Sequence, residues 1–195
     1  MTIAEGRRPV QRRGIERRNS ILDAAARQLV RHGLPINLTA VAERAEVPIG
    51  SLYQYFPSHA ALIVGLAERH LRTVGGEIVD RLVDSDDGAG APDAIDRSLR
   101  TYLAVADDEL QVAIMRAIRT DDALRALDRS DTRANARRLA EAFGAVDDGT
   151  GGSQVSATRL ELVIDLAGET ILLLADRDPA DRAALVDEFV DLVTR

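Results

Sequence analysis

The side chains capable of acid, base, nucleophilic or metal chemistry are scattered along this sequence. His32, His59 and His70 stand singly, without HExxH spacing, and the chain has no cysteine to complete a metal site with them. The lack of cysteine also removes disulfides, iron–sulfur clusters and thiol nucleophiles, and it suits a reducing compartment. The run DSDDG at 84–88 begins like a calcium loop, yet the twelfth position from Asp84 is Ile95, where a bidentate glutamate is required. Gly88 and Gly90 form a GxG with no third glycine and no preceding strand pattern, so a dinucleotide fingerprint fails. Paired acids are abundant, but they fall on faces read as solvent-directed, where charge runs serve solubility. The residues therefore give no catalytic, cofactor or metal site, and the chain is read as a non-enzyme.

Two other sets of residues point to binding. The six arginines at 7, 8, 12, 13, 17 and 18 form three pairs, a run that suits either a polyanion or plain solvation. The net charge of −7 conceals a division: residues 1–72 hold 11 arginines against 6 acids, and residues 73–195 hold 14 against 26. A basic head is thus joined to an acidic body. Tyr53 and Tyr55, two of the three tyrosines in an aromatic-poor chain, lie beside Leu52 and Phe56 in a short helical pattern. Leu52 and Phe56 are four apart and face the core, which turns Ile49, Gly50, Ser51, Tyr53, Gln54 and Tyr55 outward or sideways. Phenols in such a place suit contact with sugar, phosphate or base edges.

These residues need helices to position them, and the composition supplies helix formers: Ala, Leu, Val, Arg, Asp and Glu dominate, with 3% aromatics. The pattern predicts an all-α fold of about nine helices. A first helix spans about 15–32, with Gly33 as its stop, and a short second one follows the Asn37 cap through about Ala45. A third runs from about Ile49 to Phe56, ended by Pro57, and a fourth is capped by Ser58 and extends to about Val83. Further helices are expected over about 92–106, 108–119, 121–143, 155–175 and 179–194, with Thr120 capping the one at 121–143 and Asp178 the last. The segments 84–91 and 144–153 read as loops. A domain boundary is placed inside the fourth helix, giving 1–65 as the head with its basic N-terminal arm and 66–195 as the body. The apolar run Ile171–Ala175 is far too short to cross a bilayer, so a cytoplasmic protein with no membrane partner is expected.

Two short helices joined by a tight turn, 37–45 and 49–56, fit a helix-turn-helix whose second helix enters the major groove. Gly33, Asn37, Val41, Ala42, Ala45 and Val47, with GSLYQYFPSHAAL from Gly50 to Leu62, strongly resemble the TetR family of transcriptional repressors over about residues 17–65. The resemblance implies a homodimer with a three-helix DNA-binding head, and a helical body that dimerises and binds a small-molecule inducer. It implies base-contact or groove-facing roles for Thr39, Ile49, Gly50, Ser51 and Tyr53, and phosphate contacts for Tyr55, Ser58 and His59. Gly50 serves either helix packing or close approach of backbone to DNA. Three positions depart from the family pattern. Glu46 replaces the usual turn glycine, so either the turn carries a strained residue or it adjusts. Pro48 replaces a Ser or Thr cap. His59 replaces a common lysine and would make one phosphate contact depend on protonation.

In the body, Glu161, Asp165 and Glu169 are spaced by four as one acidic stripe. Leu160, Val163, Ile164, Ala167, Ile171 and Leu174 cover a second arc, and Leu162, Leu166 and Leu173 a third. So wide an apolar surface is expected to meet a second subunit as well as its own core, together with the helix bearing Leu185, Val186, Phe189, Val190, Leu192 and Val193. Candidate inducer-pocket residues are Tyr102, Met115, Ile118, Arg119 and Phe143, although ordinary core packing accounts for each of them equally well. The expected partners are a near-palindromic double-stranded operator and an inducer of unknown identity that releases it. The alternatives are a DNA-binding regulator governed by a partner protein, and a helical enzyme or carrier with a structural head.

Overall fold

The computed structural model describes residues 8–84, 91–104, 108–144 and 156–194, and among them every regular element is helical. The elements are α1 (Arg8–His32), α2 (Leu38–Arg44), α3 (Ile49–Tyr55), α4 (His59–Leu71), a π-helical turn (Arg72–Gly76), α5 (Glu77–Asp84), α6 (Ala91–Leu103), α7 (Glu109–Thr120), α8 (Asp122–Gly144), α9 (Ala157–Ala175) and α10 (Pro179–Thr194). Because α4, the π turn and α5 follow without a break, the described residues hold nine continuous helices. The chain divides into two compact units, Met1–Ala67 and Glu68–Arg195, with the division inside α4.

In the first unit α1 begins seven residues earlier than its apolar pattern suggests. Arg12, Arg13 and Arg17 are therefore exposed on a helix and do not belong to a separate arm. Arg12 pairs with Glu16 one turn on, at 2.9 Å. The core is built by Ile21, Leu22, Ala25 and Leu29 of α1 with Val41, Leu52, Phe56, Leu62 and Leu66. α1 ends as its composition requires: Gly33 takes φ 68°, and its N–H donates to the Leu29 carbonyl at 2.8 Å.

In the second unit α9 is central. Leu160, Val163, Ala167, Ile171 and Leu174 are buried, and α8 packs along them. Val79, Ala136, Leu139 and Leu160 form one apolar cluster, with Ile95, Ala140 and Ile164 against it. The cap of α8 differs from expectation. Asp121 accepts from the N–H groups of Ala123 and Leu124, while the Thr120 hydroxyl donates back to Ala117 O. A carboxylate at the start of a helix also gains from the macrodipole, which a hydroxyl does not. Residues 85–90 and 145–155, which include most of the acidic segment and of the second glycine loop, lie outside the described residues.

Candidate functional site

α2 and α3 are each seven residues long, so their geometry depends on their ends. The Asn37 side chain accepts from Thr39 N and Ala40 N at 3.0 and 3.1 Å, which satisfies two amides that the first turn leaves free. At the other end Glu46 N–H donates to Glu43 O at 3.1 Å and Val47 N–H to Ala42 O at 3.0 Å. That pairing is a Schellman motif, and it demands a left-handed residue at its turn. Glu46 supplies it with φ 55°, so the turn keeps its shape and the glutamate carries the strain. Pro48 begins α3 without a side-chain cap, and its carbonyl accepts from Ser51 N and Leu52 N.

α3 presents two faces. Leu52 and the following Phe56 are buried, whereas Ile49 and Tyr53, four apart, are 42% and 47% exposed. Gly50 and Gln54 are exposed beside them, and Thr39 is exposed on α2. A Cβ at Gly50 would meet nothing within 4 Å, so no packing requires glycine there. Ser51 and Tyr55 are half-buried, and the Tyr55 hydroxyl lies 3.8 Å from where a Cβ on Gly14 of α1 would stand. The Ser58 hydroxyl accepts from Ala61 N at 3.1 Å, capping α4.

His59 also makes a contact inside the head. Its Nε2 accepts a hydrogen bond from the Ile36 backbone N–H at 2.9 Å, a bond that requires Nε2 to carry no proton. The imidazole thus ties the start of α4 to the segment before α2, and Nδ1–H is the donor it retains for any other group. Arg18 is also diverted from solvent. Its guanidinium lies 5.3 Å from the centroid of the Phe56 ring, and Gly65 on α4 leaves that ring its space, since a Cβ there would come within 2.8 Å of it.

The second unit contains two adjoining cavities that share Tyr102, Asp128, Thr132 and Ile164 as walls. The larger, of about 350 Å³, is also lined by Met115, Ile118, Arg119, Asp165 and Glu169 among others. Four of the five residues proposed from sequence, Tyr102, Met115, Ile118 and Arg119, therefore line one space. The side chain of Phe143, the fifth, lies outside the described residues. The smaller cavity, of about 100 Å³, is walled by aliphatic residues and bordered by Val74 and Gly75 of the π turn.

Polar groups enter this apolar interior in an ordered way. Buried His70 donates from Nε2 to Gln111 Oε1, and Gln111 Nε2 donates to the Tyr102 hydroxyl at 3.4 Å. Burial holds His70 below its ordinary value and pushes the Tyr102 phenol up. Burial, with the Asp165 and Asp131 carboxylates next in effect, raises Asp128 to about 6. Burial also raises Asp131, which accepts from Asn135 Nδ2 at 3.0 Å, and Asp165, which is bonded by Thr132. Sequence reasoning missed Asp128, Asp131, Thr132 and Asn135. Their signal was present: they occupy the inward register of α8 between Leu124 and Leu139, where apolar residues are expected.

The acidic stripe of α9 likewise does not simply face solvent. Glu161 pairs with Arg133 at 3.0 Å, Glu169 pairs with Arg119, and Asp165 lines the larger cavity. On the same helix Leu162, Leu166 and Leu173 are 58%, 40% and 53% exposed, so the third apolar arc has no cover among the described residues. α10 contributes less to that surface than its composition suggests. Phe189 and Val190 are spent on the chain's own core, Leu185, Val186 and Val193 are half-buried, and only Leu192 of the set stands clear.

A capped α2, a Schellman turn and an α3 with one buried and one open face define a helix-turn-helix head on an all-α chain. Residues 21–66 match the family described as bacterial regulatory proteins, tetR family, so the head is similar to the DNA-binding head of that family. Over 60 residues it is 42% identical to the HTH-type transcriptional repressor KstR of Rhodococcus jostii (strain RHA1), a match covering 30% of this chain and 28% of that relative. The chain thus spans under a third of the length of the curated relatives it matches. Among solved structures, a TetR-family transcriptional regulator from Streptomyces coelicolor is 26% identical with a TM-score of 0.64, covering 91% of this chain and 95% of that one. The transcriptional regulator FadR from Bacillus subtilis, solved in complex with stearoyl-CoA, has the same fold at 16% identity with a TM-score of 0.72, covering 90% and 97%.

Proposed function

We propose that this protein is a ligand-responsive transcriptional repressor that binds a near-palindromic DNA operator as a homodimer and is released by a small molecule. The observation that carries the reading is the open face of α3, where Ile49, Gly50 and Tyr53 are exposed on a helix whose opposite side is locked into the core. Such a face seats in a major groove, with Thr39, Ser51, Tyr55 and Ser58 on its flanks and the Nδ1 edge of His59 available to a phosphate. Arg12, Arg13 and Arg17 add sequence-independent attraction to the backbone.

One seven-residue helix reads too few bases for useful specificity, and two half-sites add their energies. The uncovered Leu162, Leu166 and Leu173 arc supplies the surface on which two bodies would meet about a two-fold axis. The cavities favour a small molecule over a partner protein as the controlling ligand, and the stearoyl-CoA held by the FadR fold neighbour supports that assignment of the body. A ligand that prefers one arrangement of the bodies would then change the separation or freedom of the two heads. The activity is that of a non-enzymatic, cytoplasmic regulator. Electrophoretic mobility shift with the DNA flanking its own gene tests it: a sequence-specific complex of two chains per site, dissolved by members of a small-molecule library, is expected. Binding indifferent to sequence, or no binding, refutes it.

A further inference from the structure

The walls of the two cavities differ in charge. Of the ionisable groups lining the smaller, apolar one, Asp128 and Asp131 carry negative charge, Tyr102 is a phenol, and no arginine or histidine is present. In the larger one Asp128, Asp165 and Glu169 face Arg119, Arg125 and Arg129. Two of those arginines are committed: Arg119 pairs with Glu169, and Arg125 pairs with Asp122 and donates to Arg119 O at 3.1 Å. Asp131 is engaged by Asn135 and Asp165 by Thr132. Asp128 is the exception, a wall of both cavities with no hydrogen bond or ion pair from any described residue. Val163, Ile164 and Ala167 of α9 give the smaller cavity an apolar wall, and the charged groups that act on Asp128 are Asp165, Asp131 and, in the opposite sense, Arg129.

A carboxylate drawn from water without a partner is unfavourable, and a cation brought beside it removes that penalty. An anionic ligand would meet repulsion from the same group. Resting on the reading of the body as the ligand-binding domain, we propose that its ligand is an apolar molecule with one protonated nitrogen, the hydrocarbon part against Val163, Ile164 and Ala167 and the nitrogen on the Asp128 carboxylate. The aromatic residues that usually enclose flat cations are not needed, because a carboxylate takes their place.

Selectivity between head groups on one alkyl chain tests this with the full chain. Octylamine, 1-octanol and octanoate are titrated calorimetrically at pH 7.5 into the parent, Asp128→Asn and Asp131→Asn. Octylamine is expected to bind at least tenfold more tightly than octanol, with octanoate weakest. Asp128→Asn should erase the amine preference while changing octanol affinity less than twofold. Asp131→Asn, whose carboxylate already has Asn135, should reduce amine affinity less than threefold. Affinity for octylamine should also rise from pH 5 to 7.5 as Asp128 ionises in the field of Asp165, Asp131 and Arg129, with octanol affinity flat.

Octanoate matching octylamine, or an amine preference untouched by Asp128→Asn, overturns the proposal. So does failure of all three probes to bind the parent. These outcomes are distinct from failure of the wider reading. If octanol or octanoate binds well and frees operator DNA, the body remains a ligand-responsive domain and only the charge assignment falls. Ile164→Trp, which fills the shared wall, should abolish binding of every probe and shows whether the heat arises in the cavity.

Discussion

Replacing Asp128 by asparagine should stabilise the protein at neutral pH, against the usual direction of substitutions at partly buried positions. The folded state holds the Asp128 proton up to about 6, against an ordinary value of 3.8. A shift of this size corresponds to roughly 3 kcal/mol at about 1.4 kcal/mol per unit. The side chain lies at a cavity wall and is not sealed from water, so about half of that, ~1–2 kcal/mol, is the reasonable expectation. The sign follows from proton binding. Between about pH 4 and 6 the folded state binds more protons at this site than the unfolded chain, so this group lowers stability as pH rises through that window. Its penalty is complete above pH 6 and gone below about pH 4. Asparagine removes the charge at nearly equal volume, and no hydrogen bond at Asp128 is sacrificed. With no tryptophan in the chain, urea unfolding is followed by circular dichroism at 222 nm, at pH 7.5 and pH 4.5. His70, held low by burial, acts oppositely and loses stability as pH falls, so the parent-to-variant difference at each pH is the quantity to compare. A gain of ~1–2 kcal/mol at pH 7.5 that shrinks toward zero at pH 4.5 is expected. A loss at pH 7.5, or an equal gain at both values, refutes the electrostatic reasoning.

Glu46→Gly should stabilise the head by ~0.5–1 kcal/mol, the left-handed strain relieved less the extra freedom of unfolded glycine, while Gly33→Ala should cost ~1 kcal/mol or more; thermal unfolding of the two variants checks both signs. Leu166→Glu, placing a charge in the exposed arc of α9, should yield monomers with unchanged helicity, measured by light scattering after gel filtration, and a persistent dimer would place the interface elsewhere. Changing Arg12, Arg13 and Arg17 together to glutamine should flatten the slope of log affinity against log salt by up to ~0.9 for each phosphate no longer neutralised. Substitution is preferable to truncation here because α1 already runs through these residues, and an unchanged slope would leave them a purely solvating role.

The head was legible residue by residue because its signals are local. Asn37, Gly33, Pro57 and Ser58 act within one turn of where they stand, and the spacing of Leu52 and Phe56 fixes which side of α3 stays open. Two contacts there were not legible because they are tertiary. His59 meets Ile36 across 23 positions, and Arg18 is taken up by the ring of Phe56, and neither interaction has a sequence pattern. In the body the helices were legible, but the π turn at Arg72–Gly76 was not, since its extra residue leaves the apolar repeat nearly continuous. The cavity was half legible. Tyr102, Met115, Ile118 and Arg119 were found as inward positions of two helices, whereas the acids of α8 and α9 read as solvent faces until their helices were packed. Charge on a helix indicates solvent only when nothing else is known of its neighbours.

The central claim is that α3 reads DNA, and the most direct test is the effect of Tyr53→Ala on operator affinity. Tyr53 is 47% exposed and contributes little to the core, so the variant should keep the parent's circular dichroism and oligomeric state. Fluorescence anisotropy with an operator taken from selected or flanking DNA, at fixed salt, should show a loss of roughly 1–3 kcal/mol for each base or sugar group the phenol touches, about fivefold to somewhat over a hundredfold in affinity. Binding to unrelated DNA should change little. Operator affinity equal to the parent's, in a variant shown to be folded and dimeric, would contradict the assignment of α3 as the recognition helix and with it the proposed function.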